Sequence, residues 1–209
     1  AGIAGLVIRD ATIEKCYNTA DVVYVKGGMA GGIISNVSGK LTATECYNTG
    51  NITGSSSDSG GIIGMAHSDA TIENCHNTGK VTGGSGIVSQ VNGKATITDC
   101  SNTGEITESS SHEPLGGIAG QVYYATIENC HNTGKVTGGS GIVSHAIGSA
   151  TITDCSNTGE ITGSSSYNYL GGIAGQVDSG ATIENCYNTG NITGESIIGG
   201  IIGFGGTTV

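Results

Sequence analysis

The sequence predicts an all-β chain wound as a parallel β-solenoid (β-helix) of about seven to eight coils, each 25–31 residues long. Three observations carry that expectation. The seven cysteines fall at 16, 46, 75, 100, 130, 155 and 186, at spacings of 30, 29, 25, 30, 25 and 31. Each sits in one recurring phrase, from ATIEKCYNTA at Cys16 through TIENCHNTGKVTG at Cys75 to ATIENCYNTGNITG at Cys186. A second phrase, GGI-A/I-G or GSGIVS, alternates with the first around Ile3, Ile33, Ile62, Ile87, Ile118, Ile142, Ile173 and Ile201. Finally, the repeats are built of Thr, Ile, Val, Asn and Gly with period two, not of Leu, Ala, Glu and Lys at 3.6, so the coil is β rather than helical. Long and short repeats alternate from the third copy on. Residues 71–122 nearly match 126–177 at an offset of 55, as duplication of a two-repeat unit would leave them.

Within one repeat the elements follow in order: a short strand at ATI, another over C-x-N-x-G-x-I/V, and a third at G-I-x-G-x-V, separated by Gly-rich corners. In an extended segment Cys186, Asn188, Gly190 and Ile192 share one face, while Tyr187, Thr189, Asn191 and Thr193 share the other. The first set hardly varies between copies. The position six after Cys is Val or Ile from Val22 to Ile192, and three before Cys is Ile in six copies and Ala43 in one. Such a chain stacks like on like inside and meets water outside. At about 4.8 Å per turn the expected rod is on the order of 35 Å tall, and chain 1–209 reads as one domain of tandem repeats.

The inward files read as structural ladders. Cys16, Cys46, Cys75, Cys100, Cys130, Cys155 and Cys186 are expected as buried, reduced thiols. In-register stacking points their Cβ vectors the same way, unlike a disulfide, and their number is odd. His76 and His131 directly follow a Cys, so they project outward and suggest no zinc site. Asn18, Asn48, Asn77, Asn102, Asn132, Asn157 and Asn188 are expected to bond side chain to side chain from turn to turn.

Outside, the position five after Cys runs Asp21, Asn51, Lys80, Glu105, Lys135, Glu160 and Asn191, so opposite charges meet on adjacent turns. Thr lies three after Cys in all copies and seven after in six. Paired Thr files of this kind resemble the ice-binding faces of some β-solenoid antifreeze proteins, although Lys and Glu fall between them here.

Composition excludes several functions. Seven Lys and Arg against 17 Asp and Glu give a net charge of -10, unsuited to nucleic acid. No apolar run is long enough to insert in a membrane as a helix. Catalysis has little support: Arg9 is the single arginine, no outward column gathers carboxylates, and GGSG at 83–86 and 138–141 is a corner rather than a phosphate loop. No catalytic residue, metal site or cofactor is expected.

Candidate binding residues sit instead where the repeat is broken. Insertions at one corner carry Ser55, Ser56 and Ser57, then Ser109, Ser110, Ser111 and His112, then Ser164, Ser165, Ser166, Tyr167 and Tyr169. A second variable corner carries Tyr123 and Tyr124. Exposed aromatics there would suit a glycan or a protein partner of host or matrix.

The phrases GGIIG and GGIAG beside C-Y/H/S-N-T-G-x-I/V-T-G resemble GLUG-type repeats of bacterial cell-surface and secreted proteins. The resemblance implies an extracellular, non-enzymatic, adhesin-like stalk or surface-display scaffold. At the ends, Ala1 to Gly5 (AGIAG) begins at the phase where Gly199 to Gly203 (GGIIG) leaves off. Open coils of this kind are expected to meet adjoining domains or, by end-to-end stacking, further copies of the chain in a filament.

Overall fold

The computed structural model describes residues 1–24, 28–54, 58–109, 114–163, 169–195 and 197–206. All of its regular structure is β, every strand pairing is parallel, and the chain winds as a β-solenoid. No described helix is long and apolar enough to cross a membrane.

One turn shows how the phrases fold. The GIAGQV and ATIE phrases run together as the strand Ala119–Glu128. The chain bends into His131–Asn132, bends again into Val136–Thr137, and passes through Gly139–Ser140 to the next turn. The GIxGxV and ATI phrases line one 13-stranded sheet, and the other two strand types each build a seven-stranded sheet. Registers are kept from rung to rung: Ile97 pairs with Ile127 and Ile127 with Ile152, while Asn102 pairs with Asn132 and Asn132 with Asn157. Counted as full turns the stack comes to about six, slightly fewer than the expected seven to eight.

The single strand expected over C-x-N-x-G-x-I/V is instead two strands in different sheets, as in Tyr47–Asn48 and Ile52–Thr53. The Asn side chain is the cause. Its Nδ2 bonds the carbonyl two residues on (Asn48 to Gly50 at 2.8 Å, Asn132 to Gly134 at 2.8 Å), which closes a bend. At that bend the coils touch backbone to backbone: a Cβ on Gly134 would lie 2.0 Å from the Gly104 carbonyl oxygen.

Two hydrophobic clusters fill the interior. The larger unites the Ile and Val of the 13-stranded sheet with the cysteines, for example Ile118, Val122, Ile127 and Cys130. The smaller holds Ile52, Val81, Ile106, Leu115, Val136, Ile161, Leu170 and Ala30. The Asn file lies at the seam, since along the chain Asn132 falls between Cys130 of one core and Val136 of the other. Opposite it runs a Gly file with room for no side chain: a Cβ on Gly117 would stand 2.4 Å from Asn132 Cγ.

The two versions of the second phrase have a steric origin. In long turns the incoming backbone crosses the outside of the sheet, so a Cβ on Gly64, Gly120 or Gly175 would meet the carbonyl of Asp58, Pro114 or Tyr169 at 2.9, 2.4 or 2.7 Å. Short turns round the corner at Gly83 and Gly138, with φ of 70° and 83°, and carry Ser89 and Ser144 instead. From Gly60 onward GGIIG or GGIAG and GSGIVS thus mark which turns bear an insertion, whereas the earlier long turn between Cys16 and Cys46 carries Ser35 at this position.

Candidate functional site

Inside the coil, the thiols from Cys46 to Cys155 are buried and all seven are free. Each Sγ leans toward main-chain oxygen, as Cys130 does toward the carbonyls of Glu128 (3.3 Å) and Ile97 (3.6 Å). Hydrogen bonding to a neighbouring thiol, with burial, holds Cys46, Cys75, Cys130 and Cys186 above the ordinary thiol value. Cys100 and Cys155 are drawn down by hydrogen bonds from the thiols on either side. These are two halves of one coupled titration, because a thiolate in the file needs neutral donors beside it.

The Asn file is continuous. Nδ2 of each member donates to Oδ1 of the next at 2.7–2.8 Å, from Asn18 to Asn48 and on through Asn77, Asn102, Asn132 and Asn157 to Asn188. Both amide N–H groups of a middle Asn are thus used, one along the file and one on its own bend.

On the outside, Lys80 pairs with Glu105 at 2.9 Å and Lys135 with Glu160 at 3.1 Å. The flanking hydroxyls also meet, Thr82 with Thr107 at 3.1 Å and Thr137 with Thr162 at 3.2 Å. Another Thr file, unremarked in the sequence analysis, runs in register from Thr12 through Thr42, Thr71, Thr96, Thr126 and Thr151 to Thr182. His76 and His131 hold Ser101 and Ser156 of the next rung through Nδ1, at 2.7 and 2.8 Å.

One expectation is overturned. Carboxylates do gather on an outer corner: Asp99, Glu128 and Asp154 line an open depression with Thr98 and Asn129. Reading single columns hid this, because the acid sits two before Cys in TIEN turns and one before Cys in TITD turns, while the corner brings both positions together. The ion pairs of Lys15 there are with Glu14 and Glu45. Among the described residues no His, Cys, Asp or Glu group could hold a metal ion. The same corner has a second unforeseen property: the residue before every Cys is left-handed, with φ between 51° and 54°. The signal was present, since five of those seven residues are Asn or Asp, the types that best tolerate that region.

Of the candidate binding residues, Ser110, Ser111, His112, Ser164, Ser165, Ser166 and Tyr167 lie outside the described residues, as do Ser55, Ser56 and Ser57. Ser109 is exposed. Tyr169 stacks on Phe204 with ring centroids 4.9 Å apart, and the Tyr123 hydroxyl accepts a hydrogen bond from Gln121 at 2.8 Å. Tyr124 is 63% exposed and left-handed (φ 47°), its ring lying against Gly148 of the next turn. The first two mark a file that sequence reasoning missed: Gln90, Gln121, His145 and Gln176 pair in register across four rungs.

Three stretches, residues 55–82, 115–137 and 166–193, match the family model described as the GLUG motif. Each runs from a corner through GGI, ATI and the Cys-Asn bend, so one motif corresponds to about one turn of the solenoid, and the chain carries GLUG repeats. No curated protein matches it.

Proposed function

We propose that the chain is a non-enzymatic, extracellular structural and adhesive β-solenoid, a stalk or surface-display scaffold. The observation that carries this reading is the division of labour within each turn. Core, Asn file and Gly file repeat from rung to rung, while sequence variation is spent on outer files and on corners that face water. A fold that invests in continuity along its axis suits a spacer that holds something at a distance. The acidic corner is assigned no catalytic role in this reading. Antibody labelling of intact source cells is the test. Labelling equal to that of permeabilised cells supports surface display, and signal seen only after permeabilisation overturns it.

A second reading, a filament formed by end-to-end stacking of coils, is favoured by the polarity of the Asn file. Asn188 Nδ2 donates to Gly190 and keeps an N–H to give, while at the other end Asn18 Oδ1 accepts only the long bond from the Ala20 N–H at 3.3 Å and has a second lone pair to offer. A further coil of the same chain would use the same complementarity. Light scattering over a concentration series separates the two: rods that lengthen with concentration favour the filament, and a constant mass opposes it.

A further inference from the structure

Gln90, Gln121, His145 and Gln176 occupy one register position of the 13-stranded sheet, and Phe204 follows Gln176 at the next rung. Their neighbours Val91, Val122, Ala146 and Val177 are fully buried, whereas the four themselves are half-buried and reach solvent. The file therefore presents one neutral polar group per rung, about 4.8 Å apart. Burial lowers the pKa of His145, which keeps the imidazole uncharged at neutral pH. Gln90 and Gln121 are held in place by Asn92 Oδ1 (2.6 Å) and the Tyr123 hydroxyl (2.8 Å). At the far end the stacked rings of Tyr169 and Phe204 supply a planar apolar surface. The charges at the margins are few and opposite: Lys94 pairs in register with Tyr123, and Asp178 accepts the Gly148 N–H at 3.1 Å.

We infer that this face binds a neutral polysaccharide whose chain lies along the solenoid axis over Gln90, Gln121, His145 and Gln176, with Tyr123 and Tyr169 at its margins. A sugar hydroxyl both donates and accepts, and so does a primary amide or a neutral imidazole. The C–H face of a pyranose needs a flat apolar platform, which the aromatic pair provides. A regular polymer gains from a regular site, because each further rung offers the same contact to the next unit. Side chains already half-buried and hydrogen-bonded lose little freedom on binding. A polyanion is disfavoured by the net charge of -10. This inference goes beyond the scaffold reading and fails separately from it, since a spacer without sugar affinity would still label at the cell surface.

Affinity electrophoresis of the full chain in gels containing mannan, xylan, mixed-linkage glucan or galactan, with alginate as the charged control, tests it. Retardation by at least one neutral polymer is expected. It should weaken about tenfold in the Gln121→Ala/Gln176→Ala double variant and in Tyr169→Ala, while Thr137→Ala, in the seven-stranded sheet that holds Val136–Thr137, leaves it unchanged. Should an alanine variant lose its fold by circular dichroism, Gln176→Glu on the same solvent-reaching file is the substitute and should weaken retardation likewise. No retardation by any neutral polymer, retardation only by alginate, or retardation that survives these variants overturns the inference.

Discussion

Asn132 Nδ2 donates to Asn157 Oδ1 at 2.7 Å, and Asn132 Oδ1 accepts from Asn102 Nδ2 at 2.8 Å. The second N–H holds the Gly134 carbonyl at 2.8 Å. All of this lies between two apolar cores, where water cannot replace a lost partner. Removing the amide leaves donors and acceptors unpaired on both neighbouring rungs and on its own bend. Asn132→Ala should therefore destabilise the chain by about 1–3 kcal/mol, and Asn188→Ala, at a half-buried position with one Asn neighbour, by clearly less. Urea denaturation of the two variants checks this, and equal losses would contradict the ladder as a source of stability.

The Gly file opposite makes a sharper prediction. A Cβ on Gly117 would meet the Gly141 carbonyl oxygen at 2.1 Å and Asn132 Cγ at 2.4 Å, and neither can retreat without breaking a ladder. A Cβ on Gly5 meets nothing within 4 Å. Gly117→Ala should cost more than about 3 kcal/mol or abolish folding, whereas Gly5→Ala should stay within about 0.5 kcal/mol of the parent. Thermal melts of both variants suffice. A Gly117→Ala protein that melts with the parent would mean that the coils are not packed this closely.

Much of this architecture was legible because a parallel stack writes each inward column into the sequence as near-identity. Cys, Asn, Gly and Ile or Val recur at fixed offsets, and the alternation assigns their faces. What stayed hidden are relations that cross columns. The left-handed residue before Cys alternates between Asn and Asp with Lys15 and Glu45 as exceptions, so no single type announces it. The carboxylates of Glu128 and Asp154 stand at different sequence offsets and meet only once the corner is folded. Division of the interior into two cores follows from the Asn bend, a hydrogen bond between a side chain and its own backbone that alternation does not encode. The file from Gln90 to Gln176 was missed because its position varies between Leu6, Asn36, Met65, Gln, His and Phe204.

The buried thiols predict an alkaline limit to stability. Hydrogen bonding to Cys100 and burial, against an opposing bond from Cys46, push the Cys75 thiol up from 9.0 to about 12. An acid with a raised folded pKa keeps its proton in the native state after the unfolded chain has lost it. Its contribution is complete below pH 9 and is lost progressively as pH rises from 9 toward 12. The share of the unfolding free energy carried by each raised thiol should be flat below that window and fall within it, by at most about 1.4 kcal/mol per pH unit. Denaturant titrations from neutral to strongly alkaline pH would reveal the slope, and Cys75→Ala should reduce it even though the cavity lowers stability at every pH. A slope unchanged in that variant would assign the alkaline loss to other groups.

The offset of 55 residues that relates 71–122 to 126–177 makes the two-turn unit a removable part. In the fold, Ile72 and Ile127 occupy the same register position two rungs apart, joined through Ile97. Deleting residues 73–127 brings Ile72 directly before Glu128 and restores the phrase ATIENC without a seam. Every column closes on its own kind: Asn48 then meets Asn132, and Ile52 meets Val136. Because each rung contacts only its neighbours, the shortened chain should fold cooperatively with parent-like far-UV circular dichroism per residue and a moderately lower melting temperature. Deleting residues 73–126 instead leaves one extra residue inside that strand. Alternation then turns either Ile72 or Ile127 to water, and this chain should be far less stable although it differs from the first by a single residue. Equal stability of the two deletions would show that the corners absorb a phase error, and that the register seen in the ladders is not what holds the coil together.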